Sequence, residues 1–395
     1  MITRQPIHGF RDVRGLAFHF LLAILAIALP ARAQLKVLHS FNGADGSEPS
    51  SPLILDSRGN LYGTTVDGGD AQQGTVFKLA PDGTESVVYS FHGSDGSWPV
   101  GLILARDGNF YGATRLGGPG GFEGNGTVFK LTPEGVETVL YSFSGQADGR
   151  EPMAGVVMDA QGNLYGTTYY GGDAACGSCG VVFKVAPDGT ETVVHAFTGK
   201  GDGANSTAGL VFDGAGNLYG TTTYGGKKGW GMIFELAPDG TETILYNFVN
   251  TGDGANPDNT LVFDQQGNLY GTTVPLLSSP TPYGTVFKFT PSSGTLTTLY
   301  AFGDGNNGAY PYGPLTLDGH ASLYGTTFEG LNGHSYHGTV FRLTPKGKLK
   351  TLHHFERKKG THPNQGVTIG PQGTLYGTNS TGGLYGSGTV FSLMP

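Results

Sequence analysis

The chain has 395 residues, of which 37% are hydrophobic and only 14% charged, with 69 glycines and 22 prolines. Its formal net charge of −8 repels phosphate backbones, so nucleic acid is excluded as an expected partner. Glycine at this level borders on low complexity, but the glycines recur at fixed places beside 19 Tyr and 23 Phe; that regularity argues against disorder and for turns in an ordered all-β protein.

Arg4, Arg11 and Arg14 precede the apolar run LAFHFLLAILAIALP at 16–30, and Ala31-Arg32-Ala33 follows it. A basic start, a short apolar core and an A-x-A end predict a secretory signal over 1–33, cleaved before Gln34. The run is short for a membrane span, and none follows it. Cleavage would remove four arginines and Asp12, making the mature chain three charges more acidic. The predicted location is therefore secreted, periplasmic or cell-surface.

The first mature strand is LKVLHSF at 35–41. From residue 52 onward the chain repeats one unit about every 50 residues. A short apolar run (PLILD, 52–56) leads to LYGTT, whose tyrosines are Tyr62, Tyr111, Tyr165, Tyr219, Tyr270, Tyr324 and Tyr376. GTVFKL follows, with Phe77, Phe129, Phe183, Phe234, Phe287, Phe341 and Phe391. An ETVLYSF phrase ends at Phe91, Phe143, Phe197, Phe248, Phe302 and Phe355, and the strand 35–41 ends likewise at Phe41. Each phrase is rich in β-branched and aromatic residues and bounded by turn formers, which is the signature of a strand. D-x-x-G-N (56–60, 159–163, 213–217) and P-D-G-T (81–84, 187–190, 238–241) make tight hairpins of the first and second pairs.

Four strands per unit in seven units predict a seven-bladed β-propeller of antiparallel sheets. The predicted blades cover about 52–91, 101–143, 154–197, 208–248, 259–302, 314–355, and 366–395 plus 35–41. The strand at 35–41 lacks a preceding GTVFKL, and GTVFSLMP at 388–395 lacks a following ETVLYSF. The N-terminal strand is therefore expected to complete the last blade and close the ring.

The links between second and third strands are long and variable, so any site is expected on the face that carries them. Aromatic residues that break the repeat there are Trp98, Phe122, Tyr169, Tyr170, Trp230, Tyr283 and Tyr336. With nearby Asp and Asn they fit a sugar-stacking surface; mutual packing that stiffens the loops fits them equally well. The links between blades carry Asp45, Asp95, Asp148, Asp202 and Asp253, replaced by Asn307 and Lys359 in the last two. Ca²⁺ favours such oxygen ligands, but five acids spaced around a ring lie too far apart to share an ion. A repeated Asx turn accounts for them better, and no cofactor is expected.

Cys176 and Cys179 lack the further ligands of a zinc site, and in an exported protein they predict a local disulfide. His39, His195 and His353 occupy a slot that holds tyrosine in other copies, whereas His334 and His337 sit in a variable link. Nucleophile-elbow, zincin and P-loop motifs are lacking. Paired carboxylates near the pore, which need proximity and no motif, keep a hydrolase or lyase open.

The phrases L-Y-G-T-T, G-T-V-F-K-L and P-D-G-T-E-T-V-L-Y-S-F together resemble the GloVer tandem-repeat family of exported bacterial proteins over nearly all of 35–395. D-x-x-G-N-L-Y is more loosely similar to NHL propeller repeats. The family resemblance implies an exported, cell-surface protein, often with a C-terminal sorting anchor. Phe391–Pro395 carries no such signal, which leaves secretion or periplasmic residence open. The family brings no catalytic residues to transfer. The expected function is a monomeric, non-catalytic binding or scaffold protein that recognises a glycan or a protein. A secreted carbohydrate-active enzyme and a purely structural surface protein are the alternatives.

Overall fold

The computed structural model describes Met1 and residues 34–274, 280–303, 307–330 and 337–395. The segment predicted as a signal, 1–33, lies almost wholly outside the described residues. Among the described residues no helix is long and apolar enough to cross a membrane.

Seven antiparallel sheets form the ring of a seven-bladed β-propeller. In the second blade the strands run Ser97–Leu104, Phe110–Leu116, Thr127–Leu131 and Glu137–Ser142 in sequence order across the sheet. The other blades repeat this meander. In the seventh sheet the fourth strand is Gln34–Ser40, antiparallel to Thr389–Met394, with Leu35 opposite Leu393 and Val37 opposite Phe391.

One packing device recurs at every seam. The glycine of each LYGTT faces the phenylalanine of GTVF across the ladder, as Gly220 faces Phe234 and Gly63 faces Phe77. A Cβ on any of these seven glycines would come within 2.5–2.7 Å of the ring's Cζ. Their backbone is ordinary; the glycine is there to leave room for the ring. Each of these rings is fully buried and meets, edge to face, the phenylalanine that ends the preceding blade's fourth strand. Phe41 meets Phe77 at 5.0 Å, Phe197 meets Phe234 at 5.4 Å and Phe355 meets Phe391 at 5.0 Å. Each of the apolar clusters consequently spans two blades, as Phe41, Leu61, Phe77 and Val390 do together.

The D-x-x-G-N-L-Y phrase is a polar clasp. Asp56 accepts hydrogen bonds from the Asn60 backbone N–H (2.8 Å), the Asn60 amide (2.7 Å) and the Tyr62 hydroxyl (3.3 Å). The first strands are shorter than the apolar runs suggest. From Pro49, opposite Thr65, to Ile54, opposite Tyr62, five residue steps face three. Two extra residues break the ladder, so Ser47–Pro49 and Ile54–Leu55 are separate pieces. In the second blade only Val100 is extra, and Ser97–Leu104 is continuous.

A second device closes the seams on the link side. Glu48, Trp98, Glu151, Asn205, Asn256, Tyr310 and His362 occupy equivalent positions at the start of each blade, and all are left-handed, with φ of 53–58°. Each backbone N–H donates to a carbonyl in the preceding blade's long link: those of Ser387, Gln73, Asn125, Cys179, Trp230, Tyr283 and His337, at 2.7–3.1 Å. Left-handed backbone costs a non-glycine residue about 1–2 kcal/mol, so the clamp holds each residue where its side chain would not choose to be.

Gly220→Ala should lower unfolding stability by about 1–3 kcal/mol through overpacking against Phe234, and adding Phe234→Leu should recover part of the loss; chemical denaturation of the single and double variants measures this. Glu48→Gly should be more stable than Glu48→Ala by about 1 kcal/mol, because only glycine relieves the left-handed strain; equal midpoints would contradict it.

Candidate functional site

The first strands line an axial cavity of about 960 Å³ to which all seven blades contribute. Two residues beyond each left-handed position lies one residue per blade: Ser50, Met153, Thr207, Asp258, Tyr312 and Asn364, with Val100 in the second blade, and all line the cavity. Deeper in, the inner strands touch backbone to backbone; a Cβ on Gly101 would lie 2.9 Å from Gly155 Cα.

Two chemically distinct groups of side chains meet the cavity, the first through Tyr312 and Phe328 and the second through Trp98 and Arg115. Tyr283, Tyr310, Tyr312, Phe328 and His362 form a continuous aromatic arc from the fifth to the seventh blade. Its successive centroid distances are 6.2, 6.3, 5.5 and 4.5 Å, and Phe328 stacks on His362. In the other half of the ring, Trp98 lines the cavity with Arg115, whose guanidinium lies 5.5 Å over the indole and pairs with Glu151 at 3.1 Å.

Acids dominate the charge. Asp258 keeps some contact with the cavity but is otherwise enclosed, and burial pushes its carboxyl up to about 6, opposed by a hydrogen bond from the Thr207 hydroxyl. Burial, and then the adjacent Asp67, raise Glu48 above the usual carboxylate range. Burial, and then Asp258, push up the Tyr312 hydroxyl.

Of the aromatic residues picked out in the sequence, Trp98 lines the cavity. Phe122 is 44% exposed and meets Trp98 edge-on at 5.6 Å, outside the lining. Tyr169 and Tyr170 pack on each other at 4.5 Å, with Arg150 5.0 Å over Tyr170. Trp230 packs against the cluster of Phe248 and Phe287, and its carbonyl is the clamp acceptor for Asn256. Tyr283 forms the fifth-blade end of the aromatic arc and packs against the cluster of Phe302 and Phe341, while Tyr336 and His334 lie outside the described residues. Cys176 and Cys179 are joined in a disulfide. Sequence reading missed Asp258, Tyr312, Arg115 and Glu48; Glu48, Asp258 and Tyr312 are the varying neighbours of prolines that recur near the start of the blades, Pro49, Pro257 and Pro311, whereas Arg115 opens a variable link and carries no such mark.

Each link aspartate closes its own loop. The backbone N–H groups of Asn42, His92, Ser144, Thr198 and Val249 donate to Asp45, Asp95, Asp148, Asp202 and Asp253 at 2.6–2.9 Å. Tyr89, Tyr141 and Tyr246 add their hydroxyls at 2.5–3.0 Å. Beside four of these aspartates lies a glutamate from the next blade: Glu85, Glu137, Glu191 and Glu242. Burial first, and then the neighbouring Asp45, Asp95, Asp148 or Asp202, push each glutamate up to about 7. One oxygen of each is enclosed without a hydrogen-bond partner. These glutamates open the fourth strand, in the register position that holds Leu296, Leu349 and Leu35 in the other blades.

Because the folded state keeps the Glu137 proton up to about pH 7 and the unfolded chain loses it near 4.5, stability falls as pH rises between those values. Glu137→Leu should therefore stabilise little at pH 5 and by about 1 kcal/mol at pH 8, a figure discounted because the side chain is only half-buried. Thermal melts at both pH values test this, and a gain independent of pH would refute it.

No curated protein matches the sequence. Among solved structures, the chain resembles virginiamycin B lyase from Staphylococcus aureus, with 12% identity, a TM-score of 0.60, and coverage of 92% of this chain and 100% of that one. It also resembles the extracellular domains of a hybrid two-component system and of a one-component system, both from B. thetaiotaomicron. The first match has a TM-score of 0.57 at 12% identity, covering 92% of this chain and 41% of that one. The second has a TM-score of 0.55 at 13% identity, covering 90% and 39%. At these identities the likeness is one of fold. The sequence model of the Gloeobacter/Verrucomicrobia repeat matches residues 25–210 and 174–391, and the chain belongs to that repeat family.

Proposed function

We propose that the chain is an exported, non-catalytic binding protein that holds a glycan in the mouth of its axial channel. The observation that carries this reading is the pairing of Trp98, backed by Arg115 and Glu151, with Tyr312 and Phe328 on one cavity of about 960 Å³. Aromatic faces cover the apolar faces of sugar rings, and interspersed carboxylates and amides such as Asp258, Asn259 and Asn364 receive or donate hydroxyl hydrogen bonds. A cavity of this volume suits a short oligosaccharide segment. Export is supported by the N-terminal charge and apolar pattern of residues 1–33.

Titration calorimetry against a panel of oligosaccharides tests the reading. Trp98→Ala and Tyr312→Ala should each weaken the bound sugar about tenfold, or about 1.4 kcal/mol, without lowering the thermal midpoint. Phe122→Ala should weaken it less. Unchanged affinity in both cavity variants would place the ligand elsewhere, and no binding across the panel would favour a protein partner or a structural role.

A carbohydrate-active enzyme is favoured by one observation: the Asp258 carboxyl, pushed up to about 6 inside the channel, would be placed for proton transfer. Release of reducing or unsaturated ends from a bound polysaccharide, lost in Asp258→Asn, would replace the binding reading with this one.

A further inference from the structure

We propose that two blade seams are metal staples, each binding one divalent transition-metal ion such as Zn²⁺ through an imidazole and two carboxylates: His39, Asp45 and Glu85 at one seam, and His195, Asp202 and Glu242 at the other. In both sets the donor atoms lie within 4.8 Å of one another. His39 Nε2 is 3.0 Å from Asp45 Oδ2. His195 Nε2 is 3.6 Å from Asp202 Oδ2 and 3.8 Å from Glu242 Oε1. Around a tetrahedral ion with bonds of about 2.1 Å, neighbouring ligand atoms stand about 3.4 Å apart. The three histidine–carboxylate separations are therefore already within a few tenths of an ångström of that spacing, and the remaining donor pairs, none more than 4.8 Å apart, would close by side-chain movement.

The second set has no better use for its atoms. His195 Nε2 and Glu242 Oε1 are enclosed and make no hydrogen bond, although they face each other and Asp202. Asp202 is held in place by the Thr198 backbone N–H at 2.9 Å and hydroxyl at 2.6 Å. A nitrogen with two carboxylate oxygens selects zinc or a neighbouring transition ion over Ca²⁺, whose ligands are all oxygen.

The same protein supplies its own controls. At two other seams tyrosine replaces the histidine, and the hydroxyl of Tyr89 or Tyr141 donates directly to Asp95 or Asp148. Glu137 and Glu191 there share the orphaned oxygen, so the orphan alone does not mark a metal site; the imidazole does. Each staple would tie the fourth strand of one blade, with its following link, to the fourth strand of the next. The first joins the seventh blade to the first blade, and the second joins the third blade to the fourth, nearly across the ring.

The test is equilibrium dialysis of EDTA-stripped protein against Zn²⁺, with Co²⁺ absorption as a coordination readout. Two ions per chain are expected for the natural protein, one for His195→Tyr and none for the double variant His39→Tyr/His195→Tyr. Tyrosine already fills this slot in other blades, so these variants should fold, which their melting curves would show. The Co²⁺ spectrum should be that of a four-coordinate ion and should vanish in the double variant. Folded natural protein that binds no Zn²⁺, or a double variant that still binds two ions with the same spectrum, would overturn the proposal.

Discussion

Everything in this ring rests on a missing side chain. Each LYGTT strand carries a glycine where the neighbouring phenylalanine ring must lie, and that ring is the surface on which the preceding blade ends. The contact is between blades, so a blade removed from its neighbours would expose a phenylalanine on either side. Edge-to-face pairs add about 0.5–1.5 kcal/mol beyond the area they bury, and one such pair lies at every seam. The pairs Phe355–Phe391 and Phe41–Phe77 flank the sheet that combines the chain's first described strand with its last. The seventh seam is therefore made of the same parts as the other six.

This arrangement explains which variation the ring tolerates. The clamp on the link side is a backbone bond, N–H to carbonyl, and it asks nothing of the side chain except that it endure a left-handed backbone. Glutamate, tryptophan, asparagine, tyrosine and histidine all occupy that position. Strained backbone that the surroundings impose is a recurrent feature of functional sites. Here the clamp imposes it once per blade, two residues before a side chain that lines the axial cavity.

Much of the architecture was legible in the sequence because the repeat spells out each packing role. The phenylalanines, the LYGTT glycine, and the hairpin Asp and Asn residues recur in register, and the blade count and strand order follow from them. The broken first strands were not legible, because a bulge of two residues leaves the apolar pattern of PLILD intact. The site was only partly legible for a similar reason. Trp98 stood out as a rare residue, but Asp258 and Tyr312 are ordinary residues in ordinary phrases, and only closure of the ring brings them to one cavity. Trp230 shows the converse: its rarity drew attention, yet it packs on Phe248 and Phe287 beneath the links.

The seams show how charge can vary on a fixed frame. The fourth-strand position opposite the last apolar residue of the TVFKL strand is leucine in three blades and glutamate in four, with the same strand register throughout. The leucines bury apolar surface there, whereas the glutamates face an aspartate from the blade before. Placing a second carboxyl beside a buried one is unfavourable unless a proton or a cation is shared. The residue that decides between the two lies on the neighbouring strand. A tyrosine hydroxyl gives its hydrogen to the aspartate and leaves the glutamate to keep a proton, whereas an imidazole nitrogen offers a lone pair to an ion. Identical backbone, one side-chain exchange and two different answers to the same charge problem can therefore coexist in one ring.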